Sequence, residues 1–391
     1  MPFRAVAGTV IFITLLFVFA FIARFLFSPL FPTISEDLGI SPSQVGSLFL
    51  LGAIGMLAGS TMAGLVSSRL NHRGAFVLSL FGMSAVLVGA SFAQSLWAFR
   101  VVFIALGILA GIQMPSSVAT ITAMVRPEEW GRALSVQQLG PPLSLLAGPL
   151  IVAGLLTAFT WNATLLWVAG LGIVLVLIFL FAFRGVGAFP GDLPSPTMIR
   201  PVVSIRSFWV MIFLFALGMG AQVGVYSMLP LYLTEERGLT SGEANTIIGL
   251  ANIAPLAVVF ISGWVVTRIG PRPTMSLFLS LTGLATVFVG LLSGTGMIVS
   301  IFLMAAFAAG FFAPGFASLS RIVQPNLRSL AAGFAPPIGF LLGGGLLPAA
   351  LGYAGQTASF SMGIAITGAV IVVGSSATLL VKLLTDLEEG C

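Results

Sequence analysis

The sequence predicts an all-α membrane protein, with twelve transmembrane helices arranged as two pseudo-symmetric six-helix bundles. The first observation behind this prediction is composition: 58% of the 391 residues are hydrophobic, 7% are charged, and the mean hydropathy is +1.14. An average globular protein carries about 25% charged residues, so this chain is typical of a polytopic membrane protein. The second observation is a regular series of long apolar segments, and the third is a repeat within the chain.

The apolar segments are long enough to cross a hydrocarbon core of about 30 Å at about 1.5 Å per residue. Membrane-spanning strands would alternate apolar and polar residues with a period of two, and these segments do not. We therefore predict helices, and their approximate spans in chain order are residues 6–31, 43–66, 74–94, 97–124, 133–157, 162–184, 207–233, 243–267, 273–293, 297–320, 329–352 and 357–382.

The connections between the spans alternate in charge. Thirteen of the sixteen basic residues lie on one side of the twelve-helix arrangement and Arg237 alone lies on the other, while Arg24 and Arg100 fall within spans. Because cytoplasmic connections carry the excess of Lys and Arg, we predict a bacterial inner (plasma) membrane protein with both termini in the cytoplasm. The opposite side carries acids, namely Glu36, Asp37, Glu235, Glu236 and Glu243.

The chain resembles itself at an offset of 199 residues. At this offset, residues 27–41 align with 226–240, residues 64–73 with 263–272, and residues 111–115 with 310–314. Such duplication is common in membrane transporters. It predicts an N-terminal bundle at 1–184, a cytoplasmic linker rich in Pro and Gly at 185–206, and a C-terminal bundle at 207–391.

Several classes of function are disfavoured by what the sequence lacks. Cys391, at the last position, is the only cysteine, so neither a disulfide framework nor a thiolate metal site is expected. The basic residues occur singly or in pairs in short connections, which does not indicate nucleic-acid binding. The sequence contains no HExxH, GxSxG or Walker motif, so we expect no enzyme activity, no cofactor and no metal.

Arg24 stands out because it lies about four residues, or roughly 6 Å, beyond the middle of the first predicted span. An arginine at that depth costs about 2.5–3.5 kcal/mol on the insertion scale, and no acid lies in a span to pair with it. Two interpretations remain: backbone carbonyls or hydroxyls such as that of Ser28 hold the guanidinium, or it binds an anion in a central cavity. We predict the second.

Other polar residues within spans are candidates to line the same cavity. The alternative is that each makes a hydrogen bond between helices. Because no carboxylate lies within a span away from its ends, coupling to H+ is predicted to involve Glu36 or Glu235 at the outer rim or the substrate itself, with Na+ coupling and anion exchange as alternatives. The candidate cavity residues are Arg24, Gln113, Gln137, Gln138, Gln222, Tyr226 and Asn252.

The repeated connections at 64–73 and 263–272 carry a motif of the major facilitator superfamily, which the chain resembles over nearly its whole length. The family pattern is G-x-x-x-D-R-x-G-R-R/K, and its acid, replaced here by Ser68 and Thr267, helps hold a cytoplasmic gate closed. The alternative is that the arginines only set topology. Gly140 and Pro141 are similar to the family's Gly-Pro motif in the fifth helix, where packing and hinge roles are expected. The motif positions kept here are Gly64, Arg69, Arg73, Gly263, Arg268, Gly270 and Arg272.

Within that family, the first helix resembles those of organic-anion carriers. Arg24 precedes Pro32 by eight residues, and the turn Asp37-Leu38-Gly39 follows. Carriers of phosphate esters commonly add an arginine in the seventh helix, where the residue at the 199-residue offset from Arg24 is Val223. One guanidinium suits a monoanion better than a dianion.

The resemblance implies a secondary active transporter that works by alternating access. We predict a small organic anion, best described as a monocarboxylate, as substrate, with symport of H+ or Na+ and a monomer surrounded by membrane lipids. One alternative is an efflux pump for lipophilic compounds, in which Arg24 is structural. Another is a receptor or lipid-handling protein on the same scaffold.

Overall fold

The computed structural model describes residues 3–191, 199–324 and 327–381. In these residues, eleven continuous helical segments are long and apolar enough to cross a membrane. The longest, Pro42–Ala90, is divided at Asn71, whose backbone is not helical (φ 55°, ψ 173°). The prediction of twelve helices is therefore confirmed. Helices 1 to 12 are Phe3–Leu38, 42–70, 72–90, Leu96–Met124, Trp130–Leu155, Trp161–Ala182, Arg206–Glu236, Ser241–Ile269, Pro271–Leu291, Gly294–Arg321, Leu330–Thr357 and Phe360–Leu380.

Four helices are interrupted at a fixed distance before a proline: helix 5, whose first part ends at Gln137 before Pro141, and helices 1, 8 and 10. The first part of helix 1 ends at Phe25, that of helix 8 at Ala251 and that of helix 10 at Gly310. Each of these residues precedes a proline by four positions, namely Pro29, Pro255 and Pro314. Proline has no N–H to donate to the carbonyl four residues earlier, and its ring clashes with that carbonyl. Helices 1, 8 and 10 resume at Phe27, Ala254 and Phe312.

The internal repeat is visible in the backbone as well as in the sequence. Gly39 and Gly238, 199 residues apart, both have positive φ angles, of 64° and 71°. Asn71 and Gly270 are also 199 residues apart, and both combine a positive φ with a ψ near 170° (55° and 173°; 84° and 167°). This backbone region is essentially reserved for glycine, so the two connections were built on one pattern.

The chain divides into two compact units. The first unit is Met1–Ile40 with Leu51–Pro194, and the second is Ser41–Leu50 with Ser195–Cys391. Residues 41–50 belong with the second unit, although the predicted boundaries place them in the first bundle. They pack there because glycines allow close approach: a Cβ on Gly46 would overlap the carbonyl of Pro348, and a Cβ on Gly352 would overlap the carbonyl of Pro42. The predicted division at 185–206 stays a prediction.

Aromatic clusters fill the interior of each unit. In the first, Phe27 lies with its ring centroid 5.2 Å from that of Phe103 and 6.0 Å from that of Phe99. In the second, the ring of Phe215 lies 5.4 Å from that of Phe311 and 5.2 Å from that of Phe316. Phe27, Phe99, Phe215 and Phe311 are all buried. Phenylalanine thus supplies much of the packing within both units.

Helices 7 and 11 cross at glycines that leave no room for a side chain. A Cβ on Gly343 would overlap the carbonyl oxygen of Ala216 and lie 2.6 Å from the backbone nitrogen of Gly220. We expect Gly343→Ala to lower the free energy of unfolding by about 2–3 kcal/mol, because backbone atoms cannot move aside as a side chain can.

The matched control for this prediction is Gly333→Ala in the same helix, where a Cβ would meet nothing within 4 Å. That change is expected to be neutral or to stabilise by up to about 1 kcal/mol, since alanine has the higher helix propensity. Unfolding of the purified protein during titration with a denaturing detergent measures both. Equal effects of the two substitutions would contradict the proposed close crossing.

Candidate functional site

Arg24 lies in helix 1 immediately before the interruption at Leu26. Its side chain is 7% exposed, and among the residues that the structure describes it is the only buried Arg, Lys, Asp or Glu. Its Nη1 donates to Sδ of Met56 over 3.0 Å, and its guanidinium carbon lies 4.9 Å and 4.8 Å from the ring centroids of Phe21 and Phe25. A thioether is a weak hydrogen-bond acceptor, and an aromatic face attracts a cation less strongly than a carboxylate does. The charge is therefore held in soft, polarisable surroundings.

A stripe of polar side chains runs along helix 4 inside the first unit. Gln113, Ser116, Ser117 and Thr120 are buried, and their spacing of three, four and seven residues places them on one helical face. Gln137 of helix 5 donates from Nε2 to Oγ of Ser117 over 2.7 Å. The structure thus brings two predicted residues, Gln113 and Gln137, into the interior of one unit.

Three polar atoms of this stripe have no hydrogen-bond partner among the described residues: Nε2 of Gln113, Oγ of Ser116 and Oγ1 of Thr120. Buried polar atoms in proteins are nearly always hydrogen-bonded, so such a group needs a ligand or water. Sequence reasoning missed Ser116 and Thr120, although their helical spacing from Gln113 was a usable signal. Gln138 is exposed, apart from this stripe.

In the second unit, the three predicted residues Gln222, Tyr226 and Asn252 line one narrow pocket. The pocket has about 290 Å³ of space, counting its open part, and its other walls are apolar, including Ile301 and Met304. Gln222 lies in a π-helical turn, Gly220–Val225, and Asn252 lies at the interruption of helix 8, where its Nδ2 donates to the carbonyl of Ile248 over 2.9 Å. π-Helical turns and broken membrane helices are frequent at functional sites.

The internal repeat provides a control for this pocket. At the 199-residue offset, Gln222, Tyr226 and Asn252 correspond to Ala23, Phe27 and Ala53, all apolar. The shared scaffold therefore does not require polar groups at these positions. Conversely, Arg24 corresponds to Val223. The two units have diverged so that the first carries a positive charge and the second carries neutral hydrogen-bonding groups.

The arginines of the repeated connection have different surroundings. Arg73 donates from Nη1 to the carbonyl of Phe183 over 2.5 Å and from Nη2 to that of Leu180 over 2.9 Å, which caps the C-terminal end of helix 6. Arg69 and Arg268 are exposed, and Arg268 lies over the ring of Trp264 at 5.3 Å. Arg272 is half-buried.

The hydroxyls that replace the acid of this motif bond within their own helices. Ser68 Oγ donates to the carbonyl of Leu65 over 2.9 Å, and Thr267 Oγ1 donates to that of Trp264 over 2.7 Å. A hydroxyl carries no charge and cannot attract a guanidinium as a carboxylate does. A carboxylate-dependent latch at this motif position is absent from both repeats. Gly64 and Gly263 keep their places in helices 2 and 8.

The Gly-Pro pair of helix 5 lies where that helix resumes after an interruption at residues 138–139. A Cβ on Gly140 would lie 2.6 Å from the ring of Phe17, and Pro141 follows in the first turn. Ser144 donates to the carbonyls of Val18, over 3.1 Å, and Gly140, over 2.6 Å. These contacts hold helices 1 and 5 close together.

Glu36 and Glu235, the two predicted coupling residues, are both exposed. The next residue, Glu236, was not selected as a candidate from the sequence. Its carboxylate accepts hydrogen bonds from the backbone N–H groups of Phe360 (2.6 Å) and Ser361 (3.2 Å) and from the hydroxyl of Ser359 (3.0 Å). Glu236 thereby caps the N-terminus of helix 12. No sequence signal distinguished it from its neighbour.

Comparison with known proteins gives the family. The profile of the Major Facilitator Superfamily matches residues 13–253 and 208–389, which together cover most of the chain. The chain belongs to this superfamily. Among solved structures, a bacterial homologue of the human lysosomal transporter Spinster, in an inward-facing and occupied conformation, matches with a TM-score of 0.78 over 97% of both chains at 17% identity. The likeness shows the fold.

Several relatives align with most of this protein. The protein is 25% identical over 362 residues to a 3-(3-hydroxy-phenyl)propionate transporter of Escherichia coli, and the alignment covers 87% of each chain. A gallate transporter of Pseudomonas putida is 22% identical over 78% of this chain and 73% of the relative. An MFS-type efflux pump of Mycolicibacterium smegmatis is 25% identical over 80% of this chain and 76% of the relative. Family and fold thus point to an integral membrane transporter rather than an enzyme.

Proposed function

We propose that this protein is a secondary active transporter of a small organic anion, most simply a monocarboxylate, and that Arg24 binds the negative charge. The observation that carries the proposal is the burial of Arg24, alone among the charged residues that the structure describes, beside aromatic rings and a thioether. A cation in a membrane interior is costly and marks a substrate pathway by default. Relatives that transport 3-(3-hydroxy-phenyl)propionate and gallate support an organic acid as substrate.

The surroundings of Arg24 suit an anion with an apolar body. Phe21 and Phe25 are stacked, with ring centroids 5.8 Å apart and an interplanar angle of 29°. Both rings present apolar surface beside the guanidinium, which binds a carboxylate through two parallel hydrogen bonds. An apolar, ring-bearing carboxylate satisfies both features.

The neutral pocket of the second unit, taken by itself, is proposed to bind an uncharged polar group such as a hydroxyl. A phenol and two amides offer donors and acceptors without charge, and the narrow space suits a hydroxyl or carbonyl rather than a whole ring. In the first unit, Gln113 and Gln137 are proposed as further hydrogen-bonding residues, and Gln138, being exposed, as a peripheral one.

The pocket makes a specific prediction. Tyr226→Phe is expected to weaken binding of 3-(3-hydroxyphenyl)propionate by about 10-fold, and that of 3-phenylpropionate by less than about 2-fold, because a site that hydrogen-bonds a hydroxyl discriminates against the analogue that lacks it. Calorimetric titration of the purified protein measures both affinities. Phe27→Tyr, at the repeat-related position, serves as the matched control and should not create a preference for the hydroxylated acid over 3-phenylpropionate. Equal weakening for both acids would contradict the assigned role of Tyr226.

The proposed function itself is tested with the unmodified protein. Purified protein in nanodiscs is titrated with 3-(3-hydroxyphenyl)propionate, gallate, benzoate, a sugar phosphate and a lipophilic cation. The proposal expects binding of at least one monocarboxylate and weaker binding of the phosphate ester. Binding of the lipophilic cation without that of any carboxylate would instead support the alternative, an efflux pump, which the relative from Mycolicibacterium smegmatis favours.

Coupling and orientation complete the proposal. We propose symport with H+ or Na+ by alternating access, with Glu36 or Glu235 at the rim as coupling candidates, in a monomer of the bacterial inner membrane whose termini are cytoplasmic. Uptake of labelled substrate into proteoliposomes under an imposed pH or Na+ gradient tests this step. Uptake that responds to neither gradient, but is stimulated by an anion loaded inside the vesicles, would indicate anion exchange instead of symport.

A further inference from the structure

A groove open to one side runs along helix 3 in the first unit. It has about 960 Å³ of space, counting the open side, and is lined by residues of the 2–3 connection, helix 3 and helix 6. Three of its lining side chains are large, apolar and exposed: Leu70 by 50%, Leu78 by 42% and Phe81 by 56%. From residue 72 to residue 82 the helix rises about 15 Å, which equals one leaflet of a hydrocarbon core of about 30 Å. The groove has the length of a lipid acyl chain in one leaflet.

One end of the groove is positively charged. Arg73 lines it, and the hydrogen bond from Arg73 to the carbonyl of Phe183 brings the following residue, the exposed Arg184, to the same end. Arg69, also exposed, immediately precedes the lining residue Leu70. Residues 64–91 and 161–191 contain no Asp or Glu, and the next acid along the chain is Asp192.

The lining of the groove is only partly repeated in the second unit. Its residues Gly74, Val77, Phe81 and Gly82 correspond at the 199-residue offset to Pro273, Ser276, Ser280 and Leu281. The hydroxyl groups of Ser280 and Ser375 form a hydrogen bond, with 2.8 Å between their oxygens. Gly74, Val77, Phe81 and Gly82 are therefore particular to the first unit, whereas the lining residues Leu70, Leu78 and Leu180 correspond to the apolar residues Ile269, Leu277 and Leu379.

We propose that this groove binds an anionic phospholipid, with one acyl chain along Leu70, Val77 and Phe81 and the phosphate near the guanidinium groups of Arg69 and Arg184. Membrane-facing apolar surface is covered by lipid in any case. The charged end makes the site selective, because a basic patch at the membrane surface attracts anionic headgroups over zwitterionic ones. The assignment is independent of the transported substrate.

The test uses the full-length protein with a Phe81→Trp reporter, in phosphatidylcholine nanodiscs that contain a small fraction of either brominated phosphatidylglycerol or brominated phosphatidylcholine. Bromine on the acyl chain quenches a nearby indole, and the signal of the six native tryptophans is subtracted with the unmodified protein. We expect half-maximal quenching at a roughly 10-fold lower fraction of phosphatidylglycerol. Equal quenching by the two lipids would overturn the proposal.

The double variant Arg69→Gln/Arg184→Gln is expected to lose this preference, and both side chains are exposed, so the fold should persist. The control Arg200→Gln/Arg206→Gln removes two exposed arginines of the second unit and should keep the preference. A preference that survives in the first variant, or disappears equally in both, would overturn the assignment of the phosphate to this end. Size-exclusion chromatography confirms that each variant is folded.

Discussion

Replacing Arg24 by methionine is expected to abolish anion binding while leaving the protein as stable as before or more stable. Methionine matches the length of the arginine stem and packs well beside Met56, Phe21 and Phe25, which contact Arg24. A buried arginine costs about 2.5–3.5 kcal/mol on the insertion scale, and that cost disappears with the charge. A bound anion, in contrast, would lose its partner, which weakens binding by roughly 100-fold or more.

The measurement pairs two readouts on the same samples: affinity by calorimetric titration and the midpoint of thermal unfolding in detergent. Arg24→Lys keeps the charge but not the planar fork, so an intermediate loss of about 10-fold is expected. Arg100→Met is the matched control, because Arg100 is another membrane-helix arginine, half-buried over the ring of Trp97 at 4.4 Å. Unchanged anion affinity in Arg24→Met would contradict the proposed site, and a large loss of stability would show a structural role.

Glu236→Ala is expected to lower the free energy of unfolding by about 2 kcal/mol. The carboxylate accepts hydrogen bonds from backbone N–H groups and hydroxyls at the N-terminus of helix 12, and a negative charge there is also favoured by the helix dipole. Its neighbour Arg237 donates to Ser361 over 3.0 Å and to the carbonyl of Gly290 over 3.1 Å, so the same end joins helices 7, 9 and 12. Loss of the acid would leave that end without its cap.

Glu235→Ala provides the contrast, because both acids are exposed but the hydrogen bonds to the N-terminus of helix 12 are made by Glu236, so removal of Glu235 should change stability by less than about 0.5 kcal/mol. If Glu235 is a coupling residue, this variant should lose the response of uptake to a pH gradient while binding substrate normally. Denaturant unfolding and proteoliposome uptake on both variants separate the two roles. Equal stability losses in the two variants would contradict the assigned cap.

Much of the fold was predictable because membrane helices obey strong local constraints. A segment must be apolar over about 20 residues, and its connections must carry the basic residues on one side, so twelve helices and the 199-residue repeat could be derived from residue types alone. Prolines follow the interruptions at Phe25, Ala251 and Gly310, but Pro115 and Pro149 lie inside continuous helical segments, so proline alone does not locate an interruption. The packing of residues 41–50 with the second unit was not predictable either, because it depends on contacts between segments about 300 residues apart.

The candidate site was likewise predictable only in part. Arg24, Gln222, Tyr226 and Asn252 were identified as polar residues in apolar spans, and the structure places the last three in one pocket. Gln138 was grouped with Gln137, yet it is exposed whereas its neighbour is buried, because successive residues on a helix differ by about 100° in direction. Glu235 and Glu236 are both exposed, and they differ in that the carboxylate of Glu236 accepts hydrogen bonds at the N-terminus of helix 12. Adjacent residues of the same type cannot be ranked without knowing which neighbour each one faces.

The sequence by itself determined the class of protein, the number of helices, the repeat and the isolation of one arginine among apolar residues. These properties follow from composition and spacing, since the cost of placing a charge or an unpaired backbone group in lipid applies to each segment separately. Only the tertiary structure decided that Met56 and two phenylalanines surround Arg24, that Glu236 caps helix 12 and that a groove opens beside Arg73. Those features depend on side chains from different helices meeting at a few ångströms, and hydropathy and spacing do not specify such contacts.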